Sequence, residues 1–327
     1  MADVRVTGPG VTAAQSRASL YAMAALAVVL CVAPLVGVYP VFLMKALCFA
    51  LFACAFNLLL GYGGLLSFGH AMFLGSAGYV CAHAAEVWGW PPELAILGGT
   101  LAATLLGVVV GLVAIRRQGI YFAMITLAIA QMIYFYALQA PFTHGEDGIQ
   151  GVPRGMLFGV IDLAHGLAMY YTVLAIFLAG FLIIYRVVYS PFGQVLNAIK
   201  ENEVRAISLG YDAERYKLVA FILSAALSGL AGSTKALVFQ LASLTDVHWT
   251  MSGEVVLMVL LGGMGTVFGP MLGAIIFLVL DELVWRNFLQ LHTGILGLLI
   301  VVLILFLPAG VLSFDWRAFV KKKATAT

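Results

Sequence analysis

Charge is scarce in this sequence. Asp, Glu, Lys and Arg make up 10% of its residues, where a soluble domain carries roughly a quarter. That shortage excludes an ordinary water-facing globule, and a net charge of +2 gives no footing for nucleic-acid binding. Cysteine is sparse as well. Cys31, Cys48, Cys54 and Cys81 all lie inside apolar runs and form no CxxC pair, so they read as small buried apolar residues, not disulfide partners or metal ligands. Catalytic signatures are missing: there is no GxxxxGK[ST], no HExxH and no nucleophile elbow, and GSTK at 232–235 lacks the phosphate-loop spacing. The chain is therefore expected to be no enzyme, to need no cofactor or metal, and to hydrolyse no ATP by itself. Segments of about ten alternating residues, which a membrane β-barrel requires, are also absent.

What is present is apolar. Hydrophobic residues make up 63% of the chain, and the mean hydropathy is +1.06. Apolar runs occupy 19–38, 41–60, 64–85, 94–115, 119–140, 166–188, 217–240, 254–284 and 294–308. Most are close to the roughly 20 residues that cross about 30 Å of hydrocarbon as a helix. Lipid offers no hydrogen-bond partner, so each run must satisfy its own backbone as a helix. The expected fold is all-α and polytopic, embedded in the bilayer. The polar stretch 1–18 is expected to be disordered, and 19–38 reads as a first transmembrane helix, not a removed signal peptide.

The run 254–284 is too long. At 1.5 Å per residue it would reach about 46 Å, and its middle reads GGMGTVFGP (262–270). Glycine weakens a helix and Pro270 has no N–H to donate, so two segments joined by a turn are expected. Charge placement favours the same split. Arg5 and Arg17 lie at one end of the chain, Arg317 and Lys321 to Lys323 at the other. The positive-inside rule puts both ends in the cytoplasm, which needs an even number of crossings, about ten. Arg116, Arg117 and the five basic residues from Arg186 to Lys217 then also fall inside. Arg154 and Arg286 lie outside, while Lys45 and Lys235 sit near outer helix ends, placed to snorkel. The membrane-embedded body is expected over 19–312, with a basic cytoplasmic tail at 313–327.

Two glycine clusters interrupt the runs. LLGYGGLLSFGHAMFLGSAG (59–78) places Ser67, Phe68 and His70 where a span should be. It reads either as a tight helix crossing or as a broken segment beside a translocation path. VLLGGMGTVFGPMLGA (259–274) resembles it loosely, and Gly262, Gly263 and Gly265 are the corresponding path candidates. Two broken segments about 200 residues apart suggest related halves flanking a path. The glycine-rich loop PFTHGEDGIQGVPRG (141–155) reads as an external turn or a docking mouth. Glu254, Asp281 and Glu282 are expected at the outer interface, not in a proton relay.

One charged insert stands apart. From Arg186 to Lys217 there are five basic and four acidic residues. Pro191 and Gly193 are expected to end the preceding helix. Val195, Leu196 and Ile199 share one face of a short helix; Asn202 reads as the N-cap of a second, which Gly210 ends. Asp212 is placed to cap the next span. Balanced charge and regular apolar spacing suit a protein groove better than anionic lipid.

The stretch AIKENEVRAISLGYDAERYKLVAFILSAALSGLAG (198–232) resembles the coupling segment of ABC-importer permeases of the branched-chain amino-acid type, the LivM-like family. NLLLGYGGLLSFGHAMFLG (57–75), GIYFAMITLA (119–128), THGEDGIQGVP (143–153) and VVLMVLLGGMGTVFGPMLGA (255–274) resemble it too, in order, over roughly 40 to 312. Glu203, Ala206 and Gly210 hold the ExxAxxxG spacing of this permease type. The resemblance implies a multi-pass protein of the bacterial inner membrane, half of a pathway for branched-chain or other small hydrophobic amino acids. It also implies a LivH-like partner permease, two ABC ATPase subunits and a periplasmic substrate-binding protein. Within the coupling segment (190–213), Val195, Ile199, Glu201, Glu203, Arg205, Ala206 and Gly210 would then engage an ATPase. His144 and Glu146 depart from the small residues expected in the external loop, which leaves the substrate open. Urea, amides or aromatic acids are the alternatives within the family, and an ion-coupled secondary transporter the alternative outside it.

Overall fold

In the computed structural model the described residues are 25–37, 39–287, 292–306 and 310–311. The expected disordered stretch 1–18 and the basic tail 313–327 lie outside them. The first described helix, α1, covers 25–32. It is followed by α2 (Pro40–Asn57), α3 (His70–Glu86), α4 (Pro92–Ala114), α5 (Ile120–Gln139) and α6 (Gly166–Val188). Two short helices, α7 (Pro191–Glu201) and α8 (Glu203–Ser208), precede α9 (Ala213–Phe239), α10 (Trp249–Gly262), α11 (Gly269–Asn287) and α12 (His292–Phe306). Among the described residues five helical segments are long and apolar enough to cross a membrane: Pro40–Tyr62, Pro92–Ala114, Ile120–Gln139, Gly166–Val188 and Ala213–Phe239. The chain is a helical, multi-pass membrane protein.

Two expectations change in detail, at 64–85 and at Pro191, while the expected split of 254–284 is found. The run 64–85 is not helical from its start, because the chain is irregular at 64–69 and α3 begins only at His70. The run 254–284 is two helices, with 263–268 non-helical between α10 and α11. Pro191 opens α7 instead of merely closing α6: it sits in the first turn, where a missing N–H costs nothing, behind the N-cap Ser190. A small β component also joins the helices. Ile149 and Gln150 pair antiparallel with Ala242 and Leu241, fastening the loop after α5 to the residues that follow α9. Met156–Leu157 pairs with Ile161–Asp162 as a hairpin.

The core sits around α2. That helix is apolar on all sides and enclosed from Met44 to Asn57, apart from a half-buried Lys45, as expected for a helix surrounded by others. It packs against α6, α9, α10 and α11. A second layer forms where α3, α4 and α9 cross, and small residues let them approach. A Cβ on Gly232 of α9 would collide with the Leu74 carbonyl of α3; one on Gly99 would meet the Ala77 carbonyl. In lipid, such close van der Waals approach replaces the hydrophobic drive that packs helices in water.

This contact generates a testable contrast. Gly232→Ala overpacks the α3–α9 crossing and is expected to destabilise the protein by about 1–3 kcal/mol. Gly253→Ala in α10, where a Cβ meets nothing within 4 Å, is expected to be neutral or slightly stabilising. Thermal unfolding in detergent checks both; equal midpoints for the two variants would contradict the packing argument.

Candidate functional site

Both glycine clusters break their helices at the same place. After α2 the helix widens into a π turn, Leu58–Tyr62. The Gly64 and Leu65 N–H groups donate to the Leu60 and Leu59 carbonyls at 3.2 Å each. Gly64, at φ +68°, then turns the chain away, a conformation that glycine adopts without strain. On the other side, α10 ends at Gly262 and the chain crosses 263–268 before α11. With 14 residues, α10 reaches only about 21 Å, short of the hydrocarbon thickness. Non-helical backbone at that depth must find its partners inside the protein.

Asn57 supplies them. Its Nδ2 donates to the Thr266 carbonyl at 2.9 Å, and its Oδ1 accepts the Gly265 N–H at 3.0 Å. Gly61, one turn further on, lies directly against this non-helical backbone: a Cβ there would sit 2.6 Å from the Gly265 nitrogen. Thr266 completes the turn, donating to the Gly263 carbonyl at 2.8 Å and accepting the Gly269 N–H at 3.1 Å. The Val311 N–H donates to the Leu261 carbonyl at 2.9 Å, so the chain's return also closes over the end of α10.

The remaining path candidates are enclosed. Ser67 is fully buried, and its Oγ accepts the Gly69 N–H at 3.2 Å, closing the turn before α3. His70 is fully buried between Phe56, Phe73 and Phe221, with ring centroids 4.8, 5.5 and 6.1 Å away. Ser224 of α9 donates to the Ala55 carbonyl at 2.6 Å, so its oxygen accepts from His70 Nε2 at 2.8 Å. The histidine thus ties α3 to α9 and α2, and presents no polar atom to open space. Phe68 is half-buried, Gly262 and Gly263 are buried, and Gly265 is half-buried at the Gly61 contact.

The charged insert folds as one body. Ser190 Oγ accepts the Gly193 N–H, Asn202 Oδ1 accepts the Arg205 N–H at 2.9 Å, and Asp212 Oδ1 accepts the Arg215 N–H at 3.2 Å. Gly210 turns the chain at φ +91°. Ile199, Ala206 and Ala213 form a small core of their own, with Val195 and Tyr216 packed on it. Ile199 and Ala206 therefore hold the segment together and are not open to a partner. Glu203 faces inward too, pairing at 2.7 Å with Lys217, whose side chain is 7% exposed. Glu201 and Arg205 are exposed, and Glu201 accepts from Asn197 at 3.2 Å. The outer surface instead carries Val204, Ile207 and Leu209, at 76, 55 and 72% exposure.

Sequence reasoning missed Val204, because a lone valine in a charged stretch carries no period. It also missed Lys200, whose Nζ donates to the Gly61 carbonyl at 2.6 Å. That bond joins the charged insert to the paired breaks. At the opposite end of the bundle, Lys235 does not snorkel. It forms an ion pair with Asp246, and both side chains are at most 15% exposed. Its ammonium also lies 5.7 and 5.8 Å from the Phe49 and Phe239 ring centres. Lys45 faces Asp281 at 3.9 Å. Glu254 lies within the field of all four charges, while Glu282 is exposed.

Comparison with known proteins adds a family context. Residues 40–307 match the model of the branched-chain amino acid transport system / permease component. The chain is 29% identical over 279 residues to the high-affinity branched-chain amino acid transport system permease protein LivM of Escherichia coli (strain K12), covering 78% of this chain and 65% of that protein. The corresponding LivM of Salmonella typhimurium is 27% identical over 280 residues, with the same coverage. A probable branched-chain amino acid transport permease protein LivH of Methanocaldococcus jannaschii is 24% identical over 164 residues, 48% of this chain and 50% of that protein. The chain thus spans about two thirds, 65%, of the enterobacterial relatives' length. No solved structure matches.

The Glu203–Lys217 pair can be tested without reference to function. Glu203→Gln leaves a buried ammonium unpaired and is expected to cost about 2 kcal/mol or more. Adding Lys217→Met removes that stranded charge and is expected to recover most of the loss. A double-mutant cycle on the thermal midpoint measures the coupling; strictly additive effects would show that the pair holds nothing.

Proposed function

The chain belongs to the branched-chain amino acid transport permease family, and from that premise we propose that it is the permease subunit of an ABC importer. It forms half of a translocation pathway for branched-chain or other small hydrophobic amino acids, beside a LivH-like second permease. A periplasmic binding protein delivers the ligand, and two separate ABC ATPase subunits supply the energy. The protein sits in the bacterial inner membrane with about ten crossings, counting α10 and α11 as the two halves of the long run. Both termini and the insert at 190–212 face the cytoplasm.

One observation carries this reading. The insert is an internally packed body with its own small core, yet Val204 and Ile207 of the six-residue α8 and Leu209 at its C-cap remain outside. Isolated apolar side chains on a surface are ordinary. Three side by side on a charged appendage, with Glu201 and Arg205 at their flanks, have the make-up of a docking ridge: an apolar centre with a charged rim. Such a ridge fits a cleft in a soluble ATPase subunit. Closure of the ATPase pair on ATP then moves the ridge, and the insert moves with it as a lever. Of the residues expected from sequence, Glu201 and Arg205 serve as rim contacts, while Val195, Ile199, Ala206, Glu203 and Gly210 keep the lever in shape.

The test is assembly. Val204→Glu and Leu209→Glu each place a carboxylate in the centre of the ridge. Each is expected to reduce co-purification of the ATPase subunits, and ATP-driven leucine uptake, on the order of tenfold or more, as loss of a contact worth about 2 kcal/mol does. Insertion of the permease should be unaffected, since both side chains are exposed. Undiminished co-purification and uptake in both variants would refute docking at this ridge.

A further inference from the structure

Resting on the importer reading, we propose that Lys200 is the positioning residue through which the lever at 190–212 controls the junction of the two broken helix pairs. The junction would then be the inner gate of the pathway, and the Lys200–Gly61 bond its drawbar.

Where α2 ends in a π turn, the last carbonyls lose their helical partners. Those of Leu59 and Leu60 are recovered by Leu65 and Gly64. The carbonyl of Gly61 is taken by a side chain from another element, the Lys200 ammonium at 2.6 Å. A charged donor makes this a stronger bond than an amide would. Lys200 lies on α7 and is 139 residues away in sequence, so the contact is a tertiary choice and no helix-capping habit.

The surroundings are shaped around that side chain. Its stem crosses Gly64, where a Cβ would stand 2.9 Å from Lys200 Cγ. Gly64 therefore provides both the left-handed turn and the room. On its far side, Gly61 touches the Gly265 backbone, and Asn57 clamps Gly265 and Thr266 to the same helix end. The sequence of contacts is short: α7, Lys200, Gly61, Gly265, then the break between α10 and α11.

The lever has a second attachment of a different kind. Glu203 and Lys217 join α8 to the start of α9, and Ile199, Ala206 and Ala213 pack the same elements together. The insert is thus stiff against α9 and linked to the junction by the ammonium of Lys200. A partner that tilts the insert about its α9 attachment must either draw Gly61 along or break this bond. Because Gly61 and Gly265 touch backbone to backbone, moving one moves the other.

A merely structural pin would predict something else, and the difference is measurable. Lys200→Met keeps the stem over Gly64 and deletes the ammonium. In the complete complex, reconstituted in proteoliposomes with radiolabelled leucine and its binding protein, this variant is expected to assemble at the wild-type level. Uptake should fall at least tenfold, and ATP turnover should no longer respond to the loaded binding protein. Lys200→Arg, which still offers donors at that distance, should restore a substantial part of uptake. If Lys200→Met imports leucine as well per assembled complex as the wild type, or loses uptake only in proportion to lost assembly, the inference is overturned and the importer reading stands. A wild-type complex that carries no solute at the expense of ATP overturns both.

Discussion

Hydrocarbon accepts no hydrogen bond, and the end of the bundle where two helix pairs stop short is organised by that fact. The stretches 63–69 and 263–268 are irregular backbone, and α10, which precedes the second, has 14 residues, short of a full membrane width. Each peptide group there must be met by protein. Asn57 meets two of them from one side chain, offering a donor to the Thr266 carbonyl and an acceptor to the Gly265 N–H. Few other side chains carry both functions in one planar group. Ser67, Thr266 and Lys200 meet others. Once these partners are set, the two breaks are held face to face, and glycine is required at 61 by contact and at 265 by its φ of +73°.

The same economy of partners explains how a charged appendage is joined to an apolar body. Lys217 lies at the root of α9, 6% exposed, and a lone ammonium there would be costly. Glu203 neutralises it and so fixes α8 against α9. Lys200 reaches a carbonyl that the π turn has released. Both ties are polar and directional, and they act beside the small apolar core of Ile199, Ala206 and Ala213. At the far end of the bundle, Lys235 and Asp246 follow a related logic: opposite charges brought together where neither reaches water easily.

Much of this was legible in the residues. Scarce charge and repeated apolar runs demanded membrane helices, because no other backbone arrangement in lipid satisfies itself. Four glycines and a proline in GGMGTVFGP signalled a break, because those residues cannot sustain a helix. Ser190, Asn202, Gly210 and Asp212 act through neighbours three or four residues away, so the caps and turn of the insert follow from local chemistry. Less legible was which side of the insert faces out. Ile199 and Ala206 have the apolar character of contact residues, yet they pack inward, because Ala213 at the start of α9 closes a small core with them.

What the sequence by itself determined is the set of elements: helices where apolar runs meet lipid, breaks where glycine and proline gather, and one capped, charged insert. The tertiary structure decided which of them meet. That the π turn at 58–62 and the break at 263–268 abut, that Asn57 spans 209 residues to join them, and that Lys200 reaches Gly61 are not encoded in any local period. They arise because a carbonyl or N–H left over by a broken helix will take whichever donor or acceptor the packing of distant helices brings within about 3 Å.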